Sequence, residues 1–262
     1  MTAGSPGIWS GANNGTVLPP FVPQDQPSVE MIDRLLQSAT RLCNASSAIF
    51  FWAGSRGEIT APQMINIREE NVAHYNEAWA PMDPIHVNRL RDESREVAVL
   101  SHVRCMFPGA AVPEYADCLR QNDVGDEVAL VFYRDRDPIA SLSLFRSRAQ
   151  RHFSIDGFDW DALRNLALSS LGLHWRVRSL NVAESLTHHF GLKARELEVV
   201  SYVLLGKSNQ QIADILGIGL QTVKSHIVSI LNKTGVDSRL GIACLVHSLE
   251  CRVPGSPRLP AP

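Results

Sequence analysis

Hydrophobic residues along this chain keep two different periods. Val29, Ile32, Leu35, Leu36 and Ala39 recur every three or four positions, which predicts a helix over 28–43 with Ser28 as its N-cap. "SAIFFW" (47–52) is a short apolar run suited to a strand, "GSRG" to a turn and "ITAPQMINI" to a second strand. "EENVAHYNEAWA" reads as a helix stopped by Pro81 and Pro84, and "VPEYADCLRQND" as another with Pro113 near its start. The strongest strand signals follow in "DEVALVFYRD" and "PIASLSLFRS", joined at "RDRD" as a hairpin. "SIDGFDWDALRNLALSSLGLHWRV" is a long helix whose apolar side includes Phe158, Leu163, Leu166, Ala167 and Leu171. The order α-β-β-α-α-β-β-α predicts an α+β domain over 28–172, an antiparallel sheet layered with helices.

Beyond it only helical periods remain. Residues 173–191 continue the long helix or link it onward, and 192–251 read as four helices. Leu197, Val200, Val203 and Leu204 share a face of the first, which ends at Gly206. Ile212, Ile215 and Leu216 mark the second, before Gly217. Val223, Ile227, Ile230 and Leu231 mark the third, which ends at Gly235; Ile242, Leu245, Val246 and Leu249 mark the fourth. The second and third, a few residues apart, make a helix-turn-helix. Opposite the third helix's apolar face lie Gln221, Lys224, Ser225, Val228 and Asn232, a stripe of donors, acceptors and one small apolar group without an acid. Such a helix fits the major groove of B-DNA, where those groups read base edges and thymine methyls. A plain helical bundle with a solvated polar face has the same periodicity, and the pattern alone leaves both open.

Composition narrows the classes. A chain of 262 residues, 45% apolar and 20% charged, suits a soluble protein of one large domain or two ordinary ones. Its net charge of −2 supplies no global basic field, so any nucleic-acid binding rests on a local patch. Residues 1–27 and 252–262, rich in Gly, Pro and small polar groups, read as disordered tails. With no secretory signal and no apolar run long enough for a membrane span, the expected location is the cytoplasm, with no membrane partner. The cysteines at 43, 105, 118, 244 and 251 are widely spaced and form no C-x-x-C, so reduced thiols and no metal site are expected. Neither a Ser/His/Asp motif nor a phosphate loop is present, so no enzyme activity and no cofactor are expected.

"LKARELEVVSYVLLGKSNQQIADILGIGLQTVKSHIVSILNKTGVDSRLGIACLVHSL" resembles the LuxR-type (also NarL/FixJ-type) DNA-binding domain, without gaps. The resemblance implies an all-α, four-helix domain over 192–251 that binds double-stranded DNA as a homodimer, with RNA polymerase a further candidate partner. Glu196 matches the family's acidic residue in the first helix, and Gly206 the glycine after it. Lys224, Ser225 and Val228 fall where the family faces bases, the three that the stripe selects. Thr222 and Lys224 belong to the family's "TVK"; His226 and Lys233 fall where the phosphate backbone is usually faced. With Gln221 and Asn232 these make up the expected DNA-contacting set. Ile242, Leu245, Val246 and Leu249 lie on the family's usual dimer surface; that they only close the domain core stays open. Gly219 departs from the family, which has serine or threonine before the third helix.

The first domain resembles the GAF-like sensor halves of many such regulators, through Tyr75, Trp79, Asp83, Pro84, Gly125, Arg146, Phe153 and Ser154. Tyr75, Trp79 and Asp83 are the candidate ligand pocket, apolar walls with a few polar groups; core packing around an Asp-Pro turn is the plainer alternative. Receptors for acyl-homoserine lactones also carry an Asp-Pro pair, whose carboxylate accepts from the ligand amide, and a further tryptophan downstream. Here that region reads "REVAVLSHV", so a lactone is the least favoured effector. The expected function is a sequence-specific transcriptional regulator whose first domain senses a small molecule or partner. The alternatives are a ligand-independent dimeric DNA binder and an accessory helix-turn-helix on an enzyme.

Overall fold

A five-stranded antiparallel sheet with its helices forms one unit of the computed structural model, residues 27–171, and a second, helical unit begins at Gly172. The structure describes residues 26–251 apart from 55, 107–112 and 135. The two expected tails lie outside the described residues, except for Gln26 and Pro27, which open the first helix.

Helix α1 (Gln26–Leu42) buries Ile32, Leu35, Leu36 and Ala39, the stripe its sequence spaces. Ser28 is its third residue and is buried, so it sits inside the helix rather than capping it. Strands β1 (Ser47–Ala53) and β2 (Ile59–Ile65) pair antiparallel. Pairing slips between Phe50 and Trp52, opposite Ala61 and Pro62. An edge strand tolerates that proline, and β2 is an edge. Helix α2 (Glu69–His74) then loosens into a π turn (Tyr75–Trp79) and tightens into a 3₁₀ turn (Ala80–Met82) that contains Pro81.

Three short elements escaped the periodic reading: α3 (Val87–Asp92), β3 (Val97–Val99) and α4 (Leu100–Met106). A three-residue strand is too short to show a period of two. After α5 (Pro113–Gln121), the hairpin of β4 (Val124–Arg134) and β5 (Asp137–Ser147) forms as expected. The sheet order is β2-β1-β5-β4-β3. Helix α6 (Trp160–Leu171) is half the expected length. Leu166, expected inward, is 59% exposed, and Arg164 is buried instead. Its Nε donates to the Val131 carbonyl at 2.9 Å and a terminal nitrogen pairs with Glu96 at 2.9 Å, so the inward position holds a satisfied cation.

Strand register divides the sheet into two faces. Ala48, Phe50, Trp52, Val128, Leu130, Phe132, Ala140, Leu142 and Leu144 make one apolar face. The other carries three cross-strand rows: Ser47–Phe145–Glu127, Ile49–Ser143–Ala129 and Phe51–Ser141–Val131. That second face is the floor of the cavity described below.

The helical unit contains α7 (Trp175–Phe190), α8 (Ala194–Leu204), α9 (Asn209–Leu216), α10 (Leu220–Thr234) and α11 (Arg239–Glu250). The stretch 173–191, expected as a link, is mostly helix α7 and belongs to this unit's core. Trp175, Val182 and Leu186 are buried with Val199, Ile212, Val223, Ile230 and Ile242. An Arg178–Glu250 ion pair ties α7 to α11. Ile215, expected on the inner face of α9, is 49% exposed.

Candidate functional site

The helix-turn-helix is defined by its caps. Ser208 Oγ accepts from the Gln211 N–H at 3.2 Å, and Gln211 Oε1 accepts from the Ser208 N–H at 2.8 Å, a reciprocal box that starts α9. Gly217 ends α9 at φ 63°, a left-handed turn that glycine takes without strain. Gly219 opens α10 in an extended conformation (φ −67°, ψ 145°) with no side-chain cap. A Cβ there would meet only Thr222 Oγ1, at 3.6 Å, so the space admits the serine that the position lacks.

Val223 and Ile230 pin α10 to the core and turn its opposite side outward. Gln221, Thr222, Lys224, Ser225, Val228 and Asn232 are exposed, and His226 is half-buried. Gln221, Lys224, Ser225, Val228, Asn232 and Lys233 line one shallow groove, together with Ser229, which the stripe did not single out. Ser225 Oγ donates to the Gln221 carbonyl at 3.0 Å, which leaves its oxygen able to accept. Val228, 56% exposed, is an apolar group held in water on an otherwise polar surface.

Lys233 behaves differently from its expected phosphate-facing role. Its ammonium donates to Glu196 Oε2 at 2.6 Å and to the Gly191 carbonyl at 3.0 Å. Glu196 also accepts from Ser229 Oγ at 2.7 Å and from the Lys193 N–H at 2.8 Å. Burial pushes the Glu196 carboxyl up, but these hydrogen bonds and the Lys233 charge together bring it below its ordinary value. Glu196 therefore joins the start of α8 to the far end of α10, and Lys233 is the cation of that joint. Arg239 likewise points inward, donating to the Lys207 carbonyl and to Asn209.

The expected dimer residues face inward within the chain. Ile242, Val246 and Leu249 are 1%, 2% and 7% exposed and lie in the core of the unit, with Leu245 packed against it. Their side chains close the domain. Outward on α11 stand Leu240, 73% exposed, and Cys244.

In the first unit, Tyr75, Trp79 and Asp83 do come together, on one cavity of about 150 Å³. The π turn brings Tyr75 and Trp79 to it from a single helical segment, and Asp83 follows from the proline turn. Asp83 is 3% exposed. Tyr75 Oη donates to its Oδ2 at 2.5 Å, and the Ile85 N–H to its Oδ1 at 2.8 Å. Burial raises the Asp83 carboxyl above its usual range, against the lowering effect of those hydrogen bonds, of His86 and of Tyr115. Burial is likewise the main cause that lifts both tyrosine hydroxyls well above their ordinary value and lowers His86. Cys118 on the same wall is pushed up to about 11 by burial, so its thiol is protonated and inert near neutral pH.

His86, Tyr115 and Glu127 line the cavity without having been singled out from sequence. One signal was available for Glu127. Glu127, Ala129, Val131 and Tyr133 share one face of a strand that alternation marks clearly, and an acid on such a face is the anomaly worth following. Among the described residues no group of three or more metal-ligating side chains converges, and no helix is long and apolar enough to cross a membrane.

Residues 191–246 match the family model of bacterial regulatory proteins, luxR family. Over 209 residues the chain is 28% identical to the monoamine regulon transcriptional regulator of Klebsiella aerogenes, covering 80% of this chain and 87% of that protein. It is 46% identical over 54 residues to the nitrate/nitrite response regulator protein NarP of Escherichia coli, covering 21% and 25% of the two chains. A crystal structure of Escherichia coli SdiA superposes with a TM-score of 0.41 at 17% identity, over 86% of this chain and 92% of that one.

Proposed function

We propose, for a chain whose C-terminal domain belongs to the luxR family of bacterial regulatory proteins, that α10 reads DNA sequence while the first unit's cavity takes up a small molecule that controls the reading. The chain is a DNA-binding transcriptional regulator. The observation that carries the mechanism is the outward side of α10, where Lys224, Ser225 and Val228 stand exposed between Gln221 and Asn232 with no acid among them. Lysine donates to guanine, the serine oxygen accepts from a base amino group, and the valine suits a thymine methyl.

Affinity comes from doubling. With Lys233 and Arg239 turned inward, one copy offers few cations to phosphates, and each lost phosphate contact lowers both affinity and its salt dependence. Two copies on two half-sites double the contacts. A second copy meets the outward side of α11, where Leu240 is exposed, rather than its buried residues. An effector in the cavity acts by population shift, favouring the arrangement of the two reading heads that it binds best. The Klebsiella relative is named for a monoamine regulon, which favours nitrogen-bearing small molecules as this chain's signal.

Genome-wide mapping of DNA bound by the full chain tests the reading. Enrichment of a few promoter sites that share one sequence is expected; uniform recovery of DNA contradicts it.

A further inference from the structure

The helical wall of the cavity is attached differently from the rest of its lining, which bears on how an effector enters, on the reading above that one binds there. From Asn66 to Met82 no residue is buried, although Ile67, Asn71, Val72, Tyr75 and Trp79 line the cavity. Elsewhere on the lining Ile49, Phe51, Tyr115, Cys118 and Leu119 are buried. Within Glu69–Met82 the helix passes from α to π to 3₁₀, so no single ladder of hydrogen bonds runs through it. Single π turns of this kind gather at functional sites. A segment with few buried side chains and a broken ladder opens locally at low cost.

Polar latches hold that wall to its surroundings. Asn71 Nδ2 donates to Asn122 Oδ1 at 2.7 Å, which bridges α2 to the residue after α5. Asn122 is itself held, donating from Nδ2 to the Cys118 carbonyl at 2.9 Å. Asn76 takes both backbone groups of Ile59: its Oδ1 accepts from the N–H at 2.8 Å, and its Nδ2 donates to the C=O at 3.0 Å. Ile59 starts β2, an edge strand, so Asn76 satisfies backbone groups that no further strand pairs. Such bonds exchange for bonds to water at a small net cost. Both ends of the segment are fixed. Asn66 stands at φ 56°, and its Nδ2 donates to the Ser46 carbonyl at 2.9 Å. At the other end Pro81 and Pro84 stiffen the turn around Asp83, whose carboxyl accepts from Tyr75 Oη and the Ile85 N–H.

We propose that residues 67–82 are a lid over the cavity, latched by Asn71 to Asn122 and by Asn76 to Ile59, which swings between Asn66 and the Pro81–Pro84 turn to admit the effector. Opening breaks the two latches and lifts Val72 and Trp79 off the apolar cluster they pack against. An occupant gives those two side chains new apolar surface and so favours the closed lid.

Cys118 reports the opening. It lines the cavity, whereas Cys43 is buried in the same unit outside that lining. Burial pushes both thiols up to about 11, so near neutral pH each is alkylated only when its surroundings open. Iodoacetamide labelling of the full chain, read peptide by peptide, tests the lid without any effector. In the wild type Cys118 should react far more slowly than the exposed Cys244 and Cys251. Asn76 stands outside the cavity lining, so Asn76→Ala acts on Cys118 only through the latch. That variant should speed Cys118 by about tenfold and leave Cys43 unchanged. Asn71→Ala should act in the same way, and keeps the test open if Asn76→Ala does not fold. A Cys118 rate unchanged in the folded variants overturns the lid, as does equal acceleration of Cys43, which marks loosening of the whole unit. Wild-type Cys118 reacting as fast as Cys244 overturns it too, since the cavity then stands open. The effector reading is decided separately, by whether DNA binding responds to a cell extract of small molecules.

Discussion

Lys224 and Lys233 sit on one helix, nine positions apart, and do opposite jobs. Lys224 is exposed, at the middle of the outward stripe, while Lys233 is spent on Glu196 and the Gly191 carbonyl. Lys224→Ala should weaken specific DNA binding by about 1–3 kcal/mol and relax sequence choice, with no change in melting temperature. Lys233→Ala should instead lower the melting temperature, because it leaves Glu196 buried without its cation, at a cost of about 1–3 kcal/mol. Thermal denaturation and equilibrium DNA binding on both variants separate the two roles. Gly219→Ser belongs beside them. The space admits the hydroxyl, and a side-chain cap is worth a few tenths of a kcal/mol over glycine, about 0.3. A small rise in melting temperature and tighter DNA binding are expected; a fall in either contradicts the vacancy at that cap. At this scale the sequence showed which residues share the outward stripe, because periodicity places side chains on faces. It could not show which cations are already engaged, because Glu196 and Lys233 are far apart in the chain and meet only in the fold.

Helix α7 was the element least legible in sequence. Its inward residues, Trp175, Ser179, Val182 and Leu186, form a narrow stripe interrupted by a serine, and the other apolar residues, Val177, Leu180, Ala183 and Phe190, are scattered among polar ones. A weak stripe of that kind reads as a link, yet its three apolar members complete the core of the helical unit. A fragment beginning at Leu192 should therefore be less stable than one beginning at Gly172. Loss of each buried large side chain costs about 2–5 kcal/mol, so the shorter fragment is expected to unfold at or near ambient temperature. Equal melting temperatures for the two fragments would contradict this placement. In the longer one, the Glu196 joint also makes stability depend on pH. Its carboxyl is lower in the folded state than in the unfolded chain, so its contribution is complete above the unfolded carboxylate pKa and disappears as pH falls through the folded one. The difference in melting temperature between wild type and Glu196→Gln should be largest near neutral pH and shrink in acid. The hairpin of β4 and β5, by contrast, was plain in sequence, because long alternating runs around a polar turn have few other solutions. The three short elements between Val87 and Met106 had too little length to show a period.

Across the whole molecule, a sheet-based unit with a cavity and a helical unit with a reading helix occupy separate stretches of one chain. The family likeness of the C-terminal domain rests on local sequence, since every motif of a helix-turn-helix lies within one short segment. The cavity is assembled from residues between Ser47 and Phe145, and only its helical side, Tyr75 to Asp83, was visible as a motif. Its floor depends on strand register, which sequence does not fix. If the two units work as one regulator, occupancy of the cavity changes DNA affinity, and DNA changes the affinity for the effector by the same factor. The most direct measurement is equilibrium binding of the full chain to a duplex carrying its mapped site and to a scrambled duplex of equal length, at one salt concentration. The account predicts binding to the mapped site about a thousandfold tighter or better, with most of that margin lost in Lys224→Ala. Equal affinity for the two duplexes, or a margin untouched by Lys224→Ala, would contradict it.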